Sequence, residues 1–144
     1  MSYYKERLKD KLSNRFRFSV FDMSDKQLAK NVKLFGNTNF EYLYGYSNAL
    51  TLFAKYLERK NSVLKDNCGS LKACIATSET LFENDKKLLE KQFGVPVINE
   101  YGCAELGLIA FQNKDDKWLI NSDDLYVEIL DKNNNILPFG NEGR

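Results

Sequence analysis

Apolar positions recur along the chain with two periods, one near 3.6 residues and one near 2, and the switches between them mark out the elements. Tyr4, Leu8 and Leu12 fall at helical spacing among alternating charges and predict a short surface helix over 3–12. Over 15–21 the period changes to two. Phe16, Phe18 and Val20 lie on one side and Arg15, Arg17 and Ser19 on the other, the pattern of a half-buried strand. Ser24 then supplies a helix N-cap, with Gln27 placed to reach back as its capping-box partner. Leu28, Val32 and Phe35 carry that helix as far as Gly36 and Asn37.

The middle of the chain repeats one unit. Residues 40–44 read as an aromatic strand ended by a tight turn at Gly45, Tyr46 and Ser47. A helix follows from Ser47 to about Lys60, burying Leu50, Phe53, Ala54 and Leu57 and exposing Lys55, Glu58 and Arg59. After a polar connection over 61–70, the apolar run 71–77 is a second strand, broken by Ser78, Glu79 and Thr80. A helix running to Phe93, closed by Gly94 in a left-handed cap, leads to a third strand at 95–98. Strands alternating with helices predict a right-handed parallel sheet whose carboxyl-end loops share one edge.

Beyond Gly107 the pattern changes to short antiparallel strands at 108–112, 118–121 and 125–130, with polar turns at 113–117 and 131–135. The expected class is α/β: a parallel sheet with crossover helices followed by short antiparallel strands. It divides into an α/β unit over 1–112 and an antiparallel extension over 113–144, packed together. The turn-like end at Gly140, Asn141, Glu142, Gly143 and Arg144 has no following strand, so the sequence is expected to be a fragment of a longer protein.

Composition narrows the chemistry. A chain of 144 residues can bury about 70% of its unfolded surface as one domain. Twenty-one basic residues against twenty acidic leave a net charge of +1, which points away from nucleic acid and anionic membranes. No apolar run reaches the length of a membrane span and the first residues are charged, so a cytoplasmic protein is expected. Cys68, Cys74 and Cys103 lack metal-ligand spacing and are expected to be reduced thiols. The chain has no histidine, which excludes Ser-His-Asp and Cys-His mechanisms within it and the common His-containing zinc sites. Cys103, with no base in the chain, is a poor nucleophile candidate.

One stretch concentrates what chemistry remains. Over 95–107 an apolar strand runs into a polar turn holding Asn99, Glu100, Tyr101, Gly102, Cys103, Ala104 and Glu105. Glycine lets backbone approach a ligand closely, a tyrosine ring offers a stacking face, and a carboxylate is a normal magnesium ligand. A surface turn would have the same composition, and an ordinary turn stays the alternative on these residues alone.

Four segments in order resemble the adenylate-forming superfamily: 44–50, 71–81, 93–97 and the Asn-x-Tyr-Gly-x-x-Glu run from Asn99 to Glu105. Within it the sequence is most similar to phenylacetate-coenzyme A ligases and related capsular polysaccharide biosynthesis proteins, from about Phe16 to Arg144. The resemblance implies an ATP-dependent ligase that joins a carboxylic acid to AMP and passes the acyl group on, coenzyme A being one acceptor. It implies that Asn99 accepts from the adenine amino group and Tyr101 stacks on the ring. Ser78 and Glu79, chiefly through their backbone, together with Glu100 and Gly102 would complete the nucleotide contacts. Glu105 would hold Mg2+ and is the one residue given a catalytic role. Tyr46 and Ser47 match a loop near the acyl pocket, with Tyr46 equally readable as core.

Two departures stand out. Ala104 replaces the threonine usual before the glutamate and cannot donate to a phosphate. The phosphate loop, the ribose-binding aspartate and the lysine-bearing C-terminal domain have no counterpart here. The expectation is therefore a central fragment carrying the adenine half of the site and inactive by itself. The alternative is a non-catalytic binding module of the same fold in surface-polysaccharide assembly. The expected partners are a nucleotide and a carboxylic acid, with coenzyme A as a candidate acceptor, and neither nucleic acid nor a membrane span is expected.

Overall fold

The computed structural model describes residues 3–113 and 115–143; Met1, Ser2, Arg144 and, within the expected 113–117 turn, Lys114 lie outside the described residues. The crossover core forms as the pattern dictates. Strand β1 (Tyr42–Tyr46) leads directly into helix α3 (Ser47–Arg59). Strand β2 (Ala73–Thr77) leads to α5 (Glu83–Phe93), and β3 (Val97–Cys103) follows. Ahead of these lie α1 (Tyr3–Leu12) and α2 (Asp25–Asn37), and a single turn, α4 (Leu64–Asn67), lies between α3 and β2. The strands β4 (Gly107–Gln112) and β5 (Trp118–Ile120) complete one sheet of order β1-β2-β3-β4-β5. The β1–β2 and β2–β3 pairs are parallel, and β3–β4 and β4–β5 antiparallel. The expected fold class is thus the observed one.

Helices α3 and α5 cover one face of the sheet. Leu50, Phe53, Ala54 and Leu57 of α3 meet Leu89 and Phe93 of α5 over Leu43, Cys74, Ala76 and Val97. Each large apolar side chain in that layer stabilises by roughly 1.5–3 kcal/mol relative to an exposed one. Phe35 of α2 joins through Phe53 on one side and Phe18 and Phe40 on the other, with ring centroids 6.1, 5.4 and 4.9 Å away. Gly94 ends α5 at φ +69, where a Cβ would also lie 2.8 Å from Val63. At the edge of the opposite face, Tyr42, Tyr44 and Tyr46 are half or more exposed.

Several local expectations are corrected. The alternating segment over 15–21 is not a strand. Arg15 and Arg17 turn back to Asp10 and Glu6 of α1, and Phe18 packs on the core from an irregular backbone. Ser24 caps α2 by accepting from Gln27 N, but the reciprocal half of the capping box is absent. The Gln27 amide donates instead to Asn31, and Asp22 takes the Ser24 N–H. Strand β1 runs two residues past its expected end, so Gly45 is a strand residue and no turn separates it from α3. The polar connection 61–70 hides α4, anchored by the fully buried Leu64. The strand expected at 125–130 is reduced to one bridge, Leu130 to Ile136.

Candidate functional site

The central stretch is built differently from the turn its composition suggests. Strand β3 continues through Asn99, Glu100, Tyr101, Gly102 and Cys103, so these residues lie on a strand, and the turn itself is Ala104, Glu105 and Leu106. The reason lies in the partners. Val97, Ile98 and Asn99 pair with β2 in parallel, and then Glu100 to Cys103 pair with β4 in antiparallel, shifting register between Tyr101 and Gly102. A polar run holds strand conformation here because a hairpin partner satisfies its backbone.

Alternation along β3 then sorts the side chains. Val97, Asn99 and Tyr101 share the face that α3 and α5 cover lower down, and past those helices this face is open. Tyr101 is 59% exposed, a stacking surface and not a core ring. Glu100 alternates to the other face. Its Oε1 accepts from Tyr44 Oη at 2.8 Å and from Thr77 Oγ1 at 3.0 Å. Partial burial and then that bond to Glu100 push the Tyr44 phenol above the ordinary tyrosine range. Glu100 therefore ties β1, β2 and β3 together, a role the resemblance does not imply.

The loop after β2 forms the second wall. Ser78 has φ +66, a left-handed conformation that costs a non-glycine residue about 1–2 kcal/mol. Its neighbour holds it there. Both Glu79 carboxylate oxygens are taken by Asn48, from the backbone N at 2.8 Å and from Nδ2 at 3.0 Å, while Ser47 Oγ donates to the Glu79 carbonyl at 3.1 Å. Glu79 thereby caps the α3 N-terminus, where a carboxylate is favoured by the helix dipole. Ser47, placed by resemblance near an acyl pocket, is buried in this clamp, and Tyr46 stands 50% exposed at the end of β1 and outside the core.

The two walls enclose a cleft of about 370 Å³ lined by Ser78, Glu79, Thr80, Leu81, Asn99, Glu100, Tyr101, Gly102 and Trp118. Six of the expected nucleotide residues thus meet at one place. Glu105 does not join them: it sits exposed on the β3–β4 turn, with no ion pair or hydrogen bond among the described residues. A lone carboxylate of this kind fits Mg2+ in the sense that the ion commonly takes one or two protein oxygens and completes its shell with phosphate and water. Among the described residues no group of three or more acidic, Cys or His side chains could hold a metal without such help.

Gly102 lines the cleft and has a further purpose that its composition does not suggest. A Cβ there would lie 2.4 Å from the Gly107 carbonyl oxygen, so the hairpin itself demands glycine. Trp118 was not legible as a site residue. It reads as one more apolar position of a short strand, and only the register of β5 on β4 brings it to the cleft.

A larger hollow of about 490 Å³ lies at the C-terminal turn, lined by Leu130, Asp131, Lys132, Leu137, Glu142 and Gly143. The Asp131 carboxylate there is committed to Asn133 and Asn135, whose hydrogen bonds hold it below the usual carboxylate range. The smaller cleft is the chemical candidate, because its stacking ring and amide remain uncommitted.

The cysteines are free, Cys68 and Cys74 buried and Cys103 exposed, and burial pushes the Cys74 thiol far above its normal range. No helix among the described residues is long and apolar enough to cross a membrane.

No protein-family model and no curated protein sequence matches the chain. Solved structures do. A 2-hydroxyisobutyryl-CoA ligase in complex with 2-HIB-AMP and CoA, in its thioesterification state, gives a TM-score of 0.68 at 18% identity, over 86% of this chain and 27% of the ligase. The anthranilate CoA ligase AuaEII, in complex with anthranoyl-AMP, gives 0.60 at 15% identity over 82% and 23% of the two chains. VinN gives 0.63 at 17% identity over 78% and 30%. The chain therefore spans between 23% and 30% of the length of these structures. The architecture built up above, a parallel crossover sheet turning antiparallel after β3, is the fold of a segment of adenylate-forming CoA ligases.

Proposed function

We propose that the chain is the adenine-binding part of an ATP-dependent, carboxylate-activating ligase of the phenylacetate-CoA ligase and capsule-biosynthesis type. One observation carries the reading: Asn99 and Tyr101 project side by side from β3 into the cleft whose other wall is the Ser78–Glu79 loop. An amide oxygen can accept from an exocyclic amine, and a half-exposed phenol can stack on a purine. Glu105, at the turn beyond, would hold Mg2+ against the phosphates. The first strand of the 113–144 extension contributes Trp118 to the same cleft.

The chain's own residues would bind and orient the base and exclude water from its face. They offer no group for acyl transfer, so the 144 residues alone are expected to bind nucleotide without activating an acid. A second reading, a non-catalytic module of this fold, is favoured by Ala104, which lacks the hydroxyl a phosphate contact would use. Calorimetry with AMP tests the shared claim. Stacking contributes ~1–3 kcal/mol per base, so Tyr101→Ala should weaken AMP by about tenfold. Equal heats for the wild type and the variant would remove Tyr101 from the site.

A further inference from the structure

Trp118 is the one tryptophan of the chain and stands on a three-residue edge strand with 46% of its surface exposed. An indole so placed usually packs on other rings or on the core, and this one does neither among the described residues. Its direction is fixed by register. Tyr101 pairs with Ala110, and Ala110 with Ile120; Trp118, two residues before Ile120, projects from the same face as Tyr101. Both side chains line the cleft.

The approach to Trp118 is also held. Asn113 Oδ1 accepts from the N–H groups of Asp115 and Lys117 at 2.9 and 3.0 Å, and Asn113 N donates to Lys117 O at 2.9 Å. Asp116, at φ +60 in this turn, pairs with Lys86 of α5, whose side chain is only 12% exposed. The β4–β5 turn is thus fastened to the helix that underlies β3, which keeps the indole beside the Asn99–Tyr101 wall.

We propose that Trp118 is a base-contacting residue, a second aromatic wall of the cleft, kept in place by the Lys86–Asp116 pair. The ligand it takes is a purine nucleotide. The inference rests on the adenine reading of the cleft and adds a residue that the Asn-x-Tyr-Gly-x-x-Glu run does not contain.

As the sole indole, Trp118 reports on itself. In a titration of the full chain with AMP, its emission should quench and saturate at the concentration where calorimetry saturates. Ribose 5-phosphate, which has no base to stack, should leave the emission unchanged. Trp118→Leu should weaken AMP about tenfold and Trp118→Phe less than about threefold, since a phenyl ring keeps most of the stacking face. Thermal melts of both variants check that they fold. Lys86→Gln, which leaves the cleft residues in place, should give a measurably weaker AMP affinity and a lower fluorescence anisotropy of Trp118. AMP heats with flat emission and an unchanged Trp118→Leu affinity would overturn the role of Trp118 while leaving that of Tyr101 standing. No AMP heat at any attainable concentration would overturn both.

Discussion

A methyl group on Gly102 would lie 2.4 Å from the carbonyl oxygen of Gly107, a separation that only backbone movement could relieve. Gly107 itself sits at φ +70, so the two glycines close the β3–β4 hairpin as a pair. Gly102→Ala should therefore destabilise by about 1–3 kcal/mol, the usual cost of overpacking, seen as a lower midpoint in urea unfolding. An unchanged midpoint would mean that the hairpin is looser than its geometry. Residue types alone revealed that this glycine matters but not that the hairpin requires it, because whether a Cβ would meet a neighbouring strand is a question of pairing. That Tyr101 would offer a ring face and Asn99 an amide was legible for the opposite reason: both properties belong to the side chain whatever backbone carries it. Glu100 and Glu79 were half legible. Their place in the chain was evident, but their carboxylates turned out to be spent on Tyr44, Thr77 and Asn48, all distant in sequence.

At the scale of elements, the cleft depends on a loop clamped to a helix. Glu79 takes two hydrogen bonds at the start of α3 and holds Ser78 in its left-handed conformation. Glu79→Ala removes a capping carboxylate and should lower stability by about 1 kcal/mol. It should also weaken AMP, because Ser78 is then free to relax toward an unstrained backbone. Urea unfolding and calorimetry on the same variant check both; stability lost without any change in AMP affinity would separate the clamp from the cleft. The helices α2, α3 and α5 were readable because a 3.6-residue stripe and a cap or stop signal coincide in each. The segment over 15–21 was not, since period-two alternation describes any extended chain and becomes a strand only with a hydrogen-bonding neighbour. Arg15 and Arg17 found carboxylates on α1 instead. Strand β3 was longer than its apolar part for the converse reason: β4 supplied a partner to a run that composition marked as a turn.

For the whole molecule, the sheet collects the carboxyl end of β2, the polar half of β3 and the edge strand β5 around one concave surface, and α3 and α5 brace it from below. The order of crossovers was legible from the sequence. The convergence of Trp118 with Tyr101 was not, because it follows from antiparallel register across two hairpins. The likeness to CoA ligases extends to the fold of this segment, and the nucleotide reading stands on the cleft. Amide chemical-shift mapping during an AMP titration tests it most directly. Shifts should concentrate at Ser78 to Leu81, at Asn99 to Gly102 and at the Trp118 backbone and indole N–H. Shifts confined to the C-terminal hollow around Leu130 and Gly143, or a spectrum that AMP leaves unchanged, would contradict it.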